Sequence, residues 1–469
     1  MRINLLLEEL INIAKKPKTD FALSMNMTPS GLSKILTGKR LPYMKERKIF
    51  TKQAAEYFAE AIYSPGCYWK FENIFPVIYD FESQDDLQSF LIYAIEYALD
   101  DAFTEENNIN LDYAERGQYY LGRRPVLSLI CIILSDYAVN HSDKPLELFV
   151  STPLLDSSYY KIFQKIILIG HNKFSNVTLN YFFDKNLLND LNNTSLSDLL
   201  SLISRLQKHF RINLWETYSS GTPFLFLKGH VLLFFNAQIN GTPLLVPIYH
   251  KSYLAIFYNA IMKKDTKKIS YDKKEAISFL EDNPELFTKL LDQGVDSVYN
   301  FISIGYLLEK KELENTMSNS FICESIWKLF DYVLSKETTF VVSVAAMERF
   351  VSLGKAIVPL IGAIYFPPEQ RISYLQRFNS YLSEGSYGKV KIIGSELSNI
   401  AVFCFRDFSL LYTIDDTYER ETIHFFETDK IKSLLYDETV KNSVSSMDFS
   451  ADLWNAYQKE LIDINLMQK

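Results

Sequence analysis

"NMTPSGLSKILTGKRLP", Asn26 to Pro42, alternates helix formers with helix breakers at positions that have separate tasks. Leu32, Ile35 and Leu36 recur at helical spacing, so a short amphipathic helix is expected here. Thr28 stands where a hydroxyl caps the first free amides, and Pro29 suits the first helical position. Asn26 tolerates the left-handed turn that would precede such a helix, and Gly38 ends it. Thr28, Ser30, Gly31, Ser33, Lys34 and Thr37 are left facing outward, followed by Lys39 and Arg40. Gly31 is the odd residue, because glycine inside a helix costs about 1 kcal/mol relative to alanine. Its expected use, on the exposed face near the helix start, is to let the helix backbone come close to a binding partner.

The flanking residues continue the pattern. Leu5, Leu6, Leu10, Ile13 and Ala14 have helical spacing, and Lys16-Pro17-Lys18 breaks that helix. "TDFALSMNM" reads as a second short helix, with Phe21 and Met25 inward and small Ala22 where helices approach closely. "FTKQAAEYFAEAIY" reads as a fourth helix. Lys18 to Gly38 resembles the Cro/repressor-type (XRE-like) helix-turn-helix family, and the likeness extends over roughly residues 3–63. It is carried by Ala22, Ser30, Leu32, Ser33, Ile35, Leu36 and the trailing "GKRLP". The chain departs from the family pattern at Lys18, where glutamine is common, and at Asn26, where glycine is common. The resemblance implies that the second helix of the motif enters the major groove with its N-terminal residues at base edges. Thr28, Ser30, Gly31, Ser33, Lys34 and Thr37 would then meet duplex DNA, with Lys34 at guanine or phosphate. Lys39, Arg40, Lys45, Arg47 and Lys48 would hold phosphates. A bacterial transcription regulator acting as a homodimer on two half-sites is the implied class.

Charge placement fits that expectation. Net charge is −8 over 469 residues, yet residues 1–50 hold ten Lys/Arg and four Asp/Glu, or +6, so the rest carries −14. A basic head on an acidic body would be drawn head-first to a polyanion. The four cysteines, Cys67, Cys131, Cys323 and Cys404, are far apart in sequence and offer no CxxC spacing. Scattered cysteines, no signal peptide and no sufficient apolar run lead to the expectation of a cytoplasmic protein without membrane contact. The longest runs, "PVLSLICIILSDYAV" and "AIVPLIGAIYF", fall short of the roughly 20 residues a membrane-spanning helix needs.

A length of 469 residues calls for several domains. The expected fold class is multidomain α+β, with a small all-α helix-turn-helix domain followed by a large α/β body. The expected divisions are 1–65 for the helix-turn-helix, 66–120 for a helical connector, 121–265 for an α/β sensing or dimerisation domain, and 266–469 for a helical then α/β domain. In the third division "PLELFVST", "NVTLNYFF", "INLWETYS", "PFLFLKG" and "HVLLFFNAQ" read as strands. "YYKIFQKIILIG", "LSDLLSLISRLQKHF" and "SYLAIFYNAIMKK" read as helices. Residues 266–375 read as mainly helical, and "GKVKIIGS", "NIAVFCFRD" and "SLLYTID" bring strands back before a helix at "TDKIKSLLYDETVKNSV". The tail thus repeats the order of the middle region, a weak internal duplication that residue matching does not demonstrate.

Other chemistry is thin. "GSYGKV" lacks the full phosphate-loop spacing, and the six histidines show no HxH or HExxH spacing. The acidic run from Asp100 to Glu106 reads as a solvated helix end. The halves resemble phospholipase-D-like folds in element order, but "KGHVLLFFN" lacks that family's His and Lys two apart with a following Asp. No nucleophile elbow is present either, so no enzyme activity and no metal or cofactor is expected. Trp215, Tyr218, Phe224 and Tyr249 are candidates to line a small-molecule or peptide effector pocket, with core packing as their default role. The expected function is sequence-specific DNA binding with a large sensing and dimerising body. The alternatives are a protein-interaction scaffold, which would lack salt-dependent DNA affinity, and a DNA-associated defence enzyme, which would need a divalent metal.

Overall fold

The computed structural model describes residues 1–107, 119–141, 145–151, 177–185, 193–208, 210–217, 221–238, 241–263, 266–314, 319–334, 338–383, 390–395, 397–415, 417, 419–437 and 447–448, with isolated positions between 456 and 463. The chain forms two compact units, Met1–Leu179 with Ser220–Asp265, and Asn180–Ser219 with Thr266–Lys469. The architecture is mixed helix and sheet, with a helical N-terminal region followed by a large sheet-containing body.

The first unit opens with α1 (Ile3–Ala14), α2 (Lys18–Ser24), α3 (Pro29–Leu36) and α4 (Arg47–Ile62). α1 buries Ile3, Leu6, Leu7, Leu10, Ile11 and Ala14, whereas Leu5, expected inside, is 54% exposed. The buried set follows the 3.6-residue period from Ile3, which turns Leu5 to the opposite side. In the described part of 66–120 there is a 3-10 turn at Cys67–Phe71, then α5 (Gln84–Asn107). α6 (Arg123–Asn140) contains the first long apolar run and is buried nearly all round, from Val126 to Ala138, as a core helix must be. A meander follows: β5 (Phe224–Leu227), β6 (Val231–Ala237) and β7 (Pro243–Ile248). It is flanked by β2 (Leu146–Ser151) on one side and β1 (Tyr120–Leu121) on the other, in the order β1-β7-β6-β5-β2. Phe257 of α8 (Lys251–Lys263) sets its ring edge-on to Phe224, Phe226 and Phe234 of this sheet.

The second unit carries β3 (Val177–Asp184) from Asn180 onward, α7 (Asn193–Leu206) and β4 (Arg211–Thr217), with β8 (Thr266–Lys268) antiparallel to β4. Its larger sheet has the order β18-β14-β11-β10-β15-β16-β17-β9. β10 (Val295–Asn300), β11 (Thr339–Ser343) and β14 (Val390–Ile393) are parallel, and β15 (Ile400–Phe405), β16 (Ser409–Ile414) and β17 (Glu421–Phe426) form an antiparallel meander. β9 (Ser270–Asp272) and β18 (Met447–Asp448) close its two edges. Helices α9 (Lys273–Asp282), α10 (Pro284–Asp292), α11 (Lys310–Glu314), α12 (Ser320–Val333), α13 (Val344–Leu353), α14 (Pro368–Ser383) and α15 (Lys430–Tyr436) complete the unit. Val298, Phe330, Val342, Phe350 and Phe403 belong to one continuous core. β8 and β9 are separated by Ile269 alone, whose N–H bonds Leu214 of β4 at 3.0 Å while its carbonyl accepts from Phe425 of β17 at 2.8 Å.

Residues 266–375 differ most from expectation. Beside helices they hold β8 to β11 and the hairpin β12 (Lys355–Val358) and β13 (Gly362–Tyr365), which is the second long apolar run. The strands are three to six residues long, too short to show a period between neighbouring helices. The expected helix "YYKIFQKIILIG" and nearly all of "GSYGKV" lie outside the described residues.

The two sheets share a strand order, as the expected weak duplication requires. The run β1-β7-β6-β5-β2 of the first unit recurs in the second as β9-β17-β16-β15-β10, and β3-β4-β8 recurs as β11-β14-β18. In both copies a short leading strand becomes the edge beyond a three-strand meander. Among the described residues, the β12–β13 hairpin has no counterpart in the first copy.

Candidate nucleic-acid interface

α2 and α3 are joined by Met25 to Thr28 in a helix-turn-helix. The turn is a Schellman motif with asparagine in the glycine position: Asn26 has φ 51°, its N–H bonds the Leu23 carbonyl at 3.0 Å, and the Met27 N–H bonds the Ala22 carbonyl at 2.9 Å. Thr28 Oγ1 then accepts from the Gly31 N–H at 3.1 Å, with Pro29 at the first helical position. A second Schellman motif ends α3: Gly38, at φ 70°, bonds the Ile35 carbonyl at 3.0 Å, and the Lys39 N–H bonds the Lys34 carbonyl at 2.9 Å. Both ends of α3 are therefore fixed by local chemistry, and the emerging Lys39 has a set direction.

Leu32, Ile35 and Leu36 bury one face of α3, while Phe21, Ala22 and Met25 do the same for α2. Phe21 meets Phe58 of α4 at 4.7 Å between ring centroids and Tyr57 at 5.2 Å. The opposite face of α3 presents Ser30, Ser33, Lys34 and Thr37, all exposed, in a row of i, i+3, i+4 and i+7. Thr37 turns its hydroxyl back to the Ser33 carbonyl at 2.8 Å. Thr28 and Lys39 are exposed at the two ends of this row.

Gly31 is half-buried rather than bare. A Cβ at this position would stand 3.2 Å from Thr28 Oγ1, the oxygen that caps the helix. The glycine thus has a use inside the chain, which is to leave room for the cap.

Arg40 is also half-buried, its guanidinium stacked on the Tyr43 ring at 4.2 Å. It walls a cleft of about 480 Å³ between the start of α3 and the segment leading into α4, with Asn26, Thr28, Tyr43 and Glu46 among the other walls. Lys45 and Lys48 are exposed, but Arg47 is engaged. Its guanidinium pairs with Asp100 of α5 and donates to the Glu96 carbonyl at 2.8 Å. Arg47 therefore ties α4 to α5 and does not serve as a phosphate clamp. Asp100, expected in a solvated helix end, is the other half of that tie. Lys18, the departure from the family pattern, pairs with Glu8 at 3.1 Å.

Of the candidates for an effector pocket, Phe224 is buried and Trp215 and Tyr249 are half-buried. Trp215 stacks on Phe182 at 5.8 Å and donates to Asn180 at 3.1 Å, Phe224 packs on Phe257, and Tyr218 lies outside the described residues. His424 is fully buried, with Nδ1 2.6 Å from Ser270 Oγ, and burial lowers its pKa to about 3. All four cysteines are buried, and none of them is in a disulfide. Among the described residues, no three His, Cys, Asp or Glu side chains gather to hold a metal, and no helix is long and apolar enough to cross a membrane.

The geometry defines a capped helix-turn-helix with a polar, singly basic outer face. No protein-family model matches the chain, and no curated protein matches it. Among solved structures, TrmBL2, an archaeal chromatin protein whose structure shows a novel mode of DNA binding, is similar to part of it. The similarity is 12% in identity over 40% of this chain and 67% of that one, with a TM-score of 0.21. A likeness this weak transfers no residue role to the present chain.

Proposed function

We propose that the chain is a duplex-DNA-binding transcription regulator whose N-terminal helices read an operator. Its remaining residues would sense an effector and hold two copies together. The observation that carries this reading is the exposed row Ser30, Ser33, Lys34 and Thr37 on a helix whose buried side is fully packed. Serine and threonine donate to or accept from base edges, and a lysine reaches guanine O6/N7 or a phosphate. The free amides and positive dipole end of α3 favour a phosphate beside Thr28. One such motif makes few base contacts, so two copies on half-sites about one helical turn apart are the natural arrangement. The resemblance to Cro/repressor-type proteins supports the same reading, as does the +6 charge of residues 1–50. The chain acts here as a binder, with no catalytic step of its own, in the cytoplasm. Selection from a pool of random duplexes at low salt tests it. The wild type should enrich a defined sequence, and Ser33→Ala/Lys34→Ala should lose that enrichment. Equal enrichment by both proteins would refute the reading.

A further inference from the structure

The second unit contains a cavity of about 330 Å³ between α9, α10, α12 and the meander β15–β17. Its lining is almost wholly apolar and includes the rings of Phe279, Phe287, Phe403 and Phe425. An apolar cavity of about 150 Å³ is enough to hold benzene, so this one has room for two fused rings. Aromatic walls favour a planar aromatic guest through edge and stacking contacts.

Among the polar groups of this lining, the Tyr412 hydroxyl stands out. Tyr412 is 1% exposed, and its hydroxyl has no hydrogen-bond partner among the described residues. The nearby Glu421 carboxylate, whose Oε1 accepts from Lys273 at 3.1 Å and whose Oε2 accepts from the Leu360 N–H at 2.8 Å, makes no hydrogen bond of good geometry with it. Burial and the nearby Glu421 carboxylate hold the phenol protonated, so it stays a donor without a well-formed hydrogen bond. A buried donor in that state costs about 1–3 kcal/mol, which a guest with an acceptor atom would recover. The charged groups of the lining do not call for an ionic guest. Lys267 is bonded to Glu427, which also accepts from Lys185 at 2.6 Å.

The wall at Leu360 is held firmly. Leu360 has φ 66°, an uncommon conformation for a branched side chain, and the Glu421 bond and the Lys273 bond to the Ile361 carbonyl at 2.6 Å fix it there. Residues held in such conformations cluster at ligand clamps and switches.

We propose that this cavity binds a neutral, planar aromatic molecule of about two fused rings carrying one hydrogen-bond acceptor, which meets the Tyr412 hydroxyl. Binding of this guest is independent of the DNA-binding reading, and its test contains no DNA. The full chain is titrated with the uncharged fluorophore N-phenyl-1-naphthylamine, which is then displaced by 2-acetylnaphthalene or by 2-ethylnaphthalene. Saturable, one-to-one displacement is expected, with the acetyl compound about 10-fold tighter, the worth of one recovered hydrogen bond. Tyr412→Phe should remove that preference while leaving the ethyl compound unaffected. Ala276→Phe, which fills the cavity from α9, should weaken both compounds by about 10-fold or more without lowering the unfolding temperature. Leu290→Trp fills it from α10 and serves if the first variant folds poorly. Absence of saturable binding, or binding indifferent to both filling variants, would overturn the proposal. An acetyl preference that survives Tyr412→Phe would overturn the role of that hydroxyl.

Discussion

Thr28→Asp separates the two tasks assigned to one side chain. Thr28 Oγ1 caps α3 through the Gly31 N–H at 3.1 Å, and Thr28 is exposed at the end of the helix proposed to face DNA. Aspartate is at least as good a cap as threonine, and its charge gains about 0.3–1 kcal/mol from the helix dipole. The free protein should therefore hold α3 as firmly as before or more so, with slower hydrogen exchange at the Gly31 amide. The same charge would face a phosphate. At about 5 Å, with an effective dielectric between 20 and 80, the repulsion is about 1–3 kcal/mol, or roughly 5- to 150-fold in affinity. Fluorescence anisotropy against a labelled duplex pool, in about 100 mM salt where screening is moderate, gives the second readout. A more stable helix with weaker DNA binding is the expected pair of results. Undiminished affinity would refute the placement of α3 against the duplex, and faster exchange at Gly31 would refute the cap.

Lys34→Ala and Lys39→Ala should each reduce the log–log salt slope of duplex binding by about 0.9, whereas Arg47→Ala should leave that slope unchanged. Arg47→Ala should instead lower stability by about 1.5–3 kcal/mol in urea unfolding, because it removes charge-assisted bonds to Asp100 and the Glu96 carbonyl. Gly31→Ala should be close to neutral in thermal unfolding, since its helix gain of about 1 kcal/mol is offset by the Cβ pressing on Thr28 Oγ1. A gain of the full amount would show that the cap gives way freely. His424 has its folded pKa lowered to about 3 from 6.5, so the unfolded chain takes up this proton first as the pH falls. The stability it contributes to the second unit is complete above 6.5 and is lost on acidification toward 3, with about 2 kcal/mol gone by about pH 5. A His424→Gln variant should show a flatter loss in denaturant titrations over that range.

What could be read from residue order was local chemistry. Asn26, Thr28, Pro29 and Gly38 each act on partners within five positions, so their tasks follow from spacing. Arg47 could not be read that way, because Asp100 lies on another helix far along the chain. The charge of Arg47 suggested a free cation, and only packing reveals the tie. Gly31 stood out in the sequence as a helix glycine, but that its neighbour is the cap oxygen is visible only in the structure. Strands β8 and β9 span three residues each, too few for any pattern, and β10 and β11 are short parallel strands set among helices. The duplication had a faint trace in element order. The shared strand order is in hydrogen-bonded neighbours, which residue matching does not reach.

Ile269 has a mechanical consequence. A single peptide residue, 1% exposed, is stitched by its N–H to Leu214 and by its carbonyl to Phe425. There is no slack at this stitch, so β17 cannot slide without either dragging β4 along or snapping a buried bond. Since Phe425 also faces the aromatic cavity, a guest that nudges β17 would be felt at Leu214 through one residue. The exchange rate of the Ile269 amide proton is therefore a strain gauge for the whole seam.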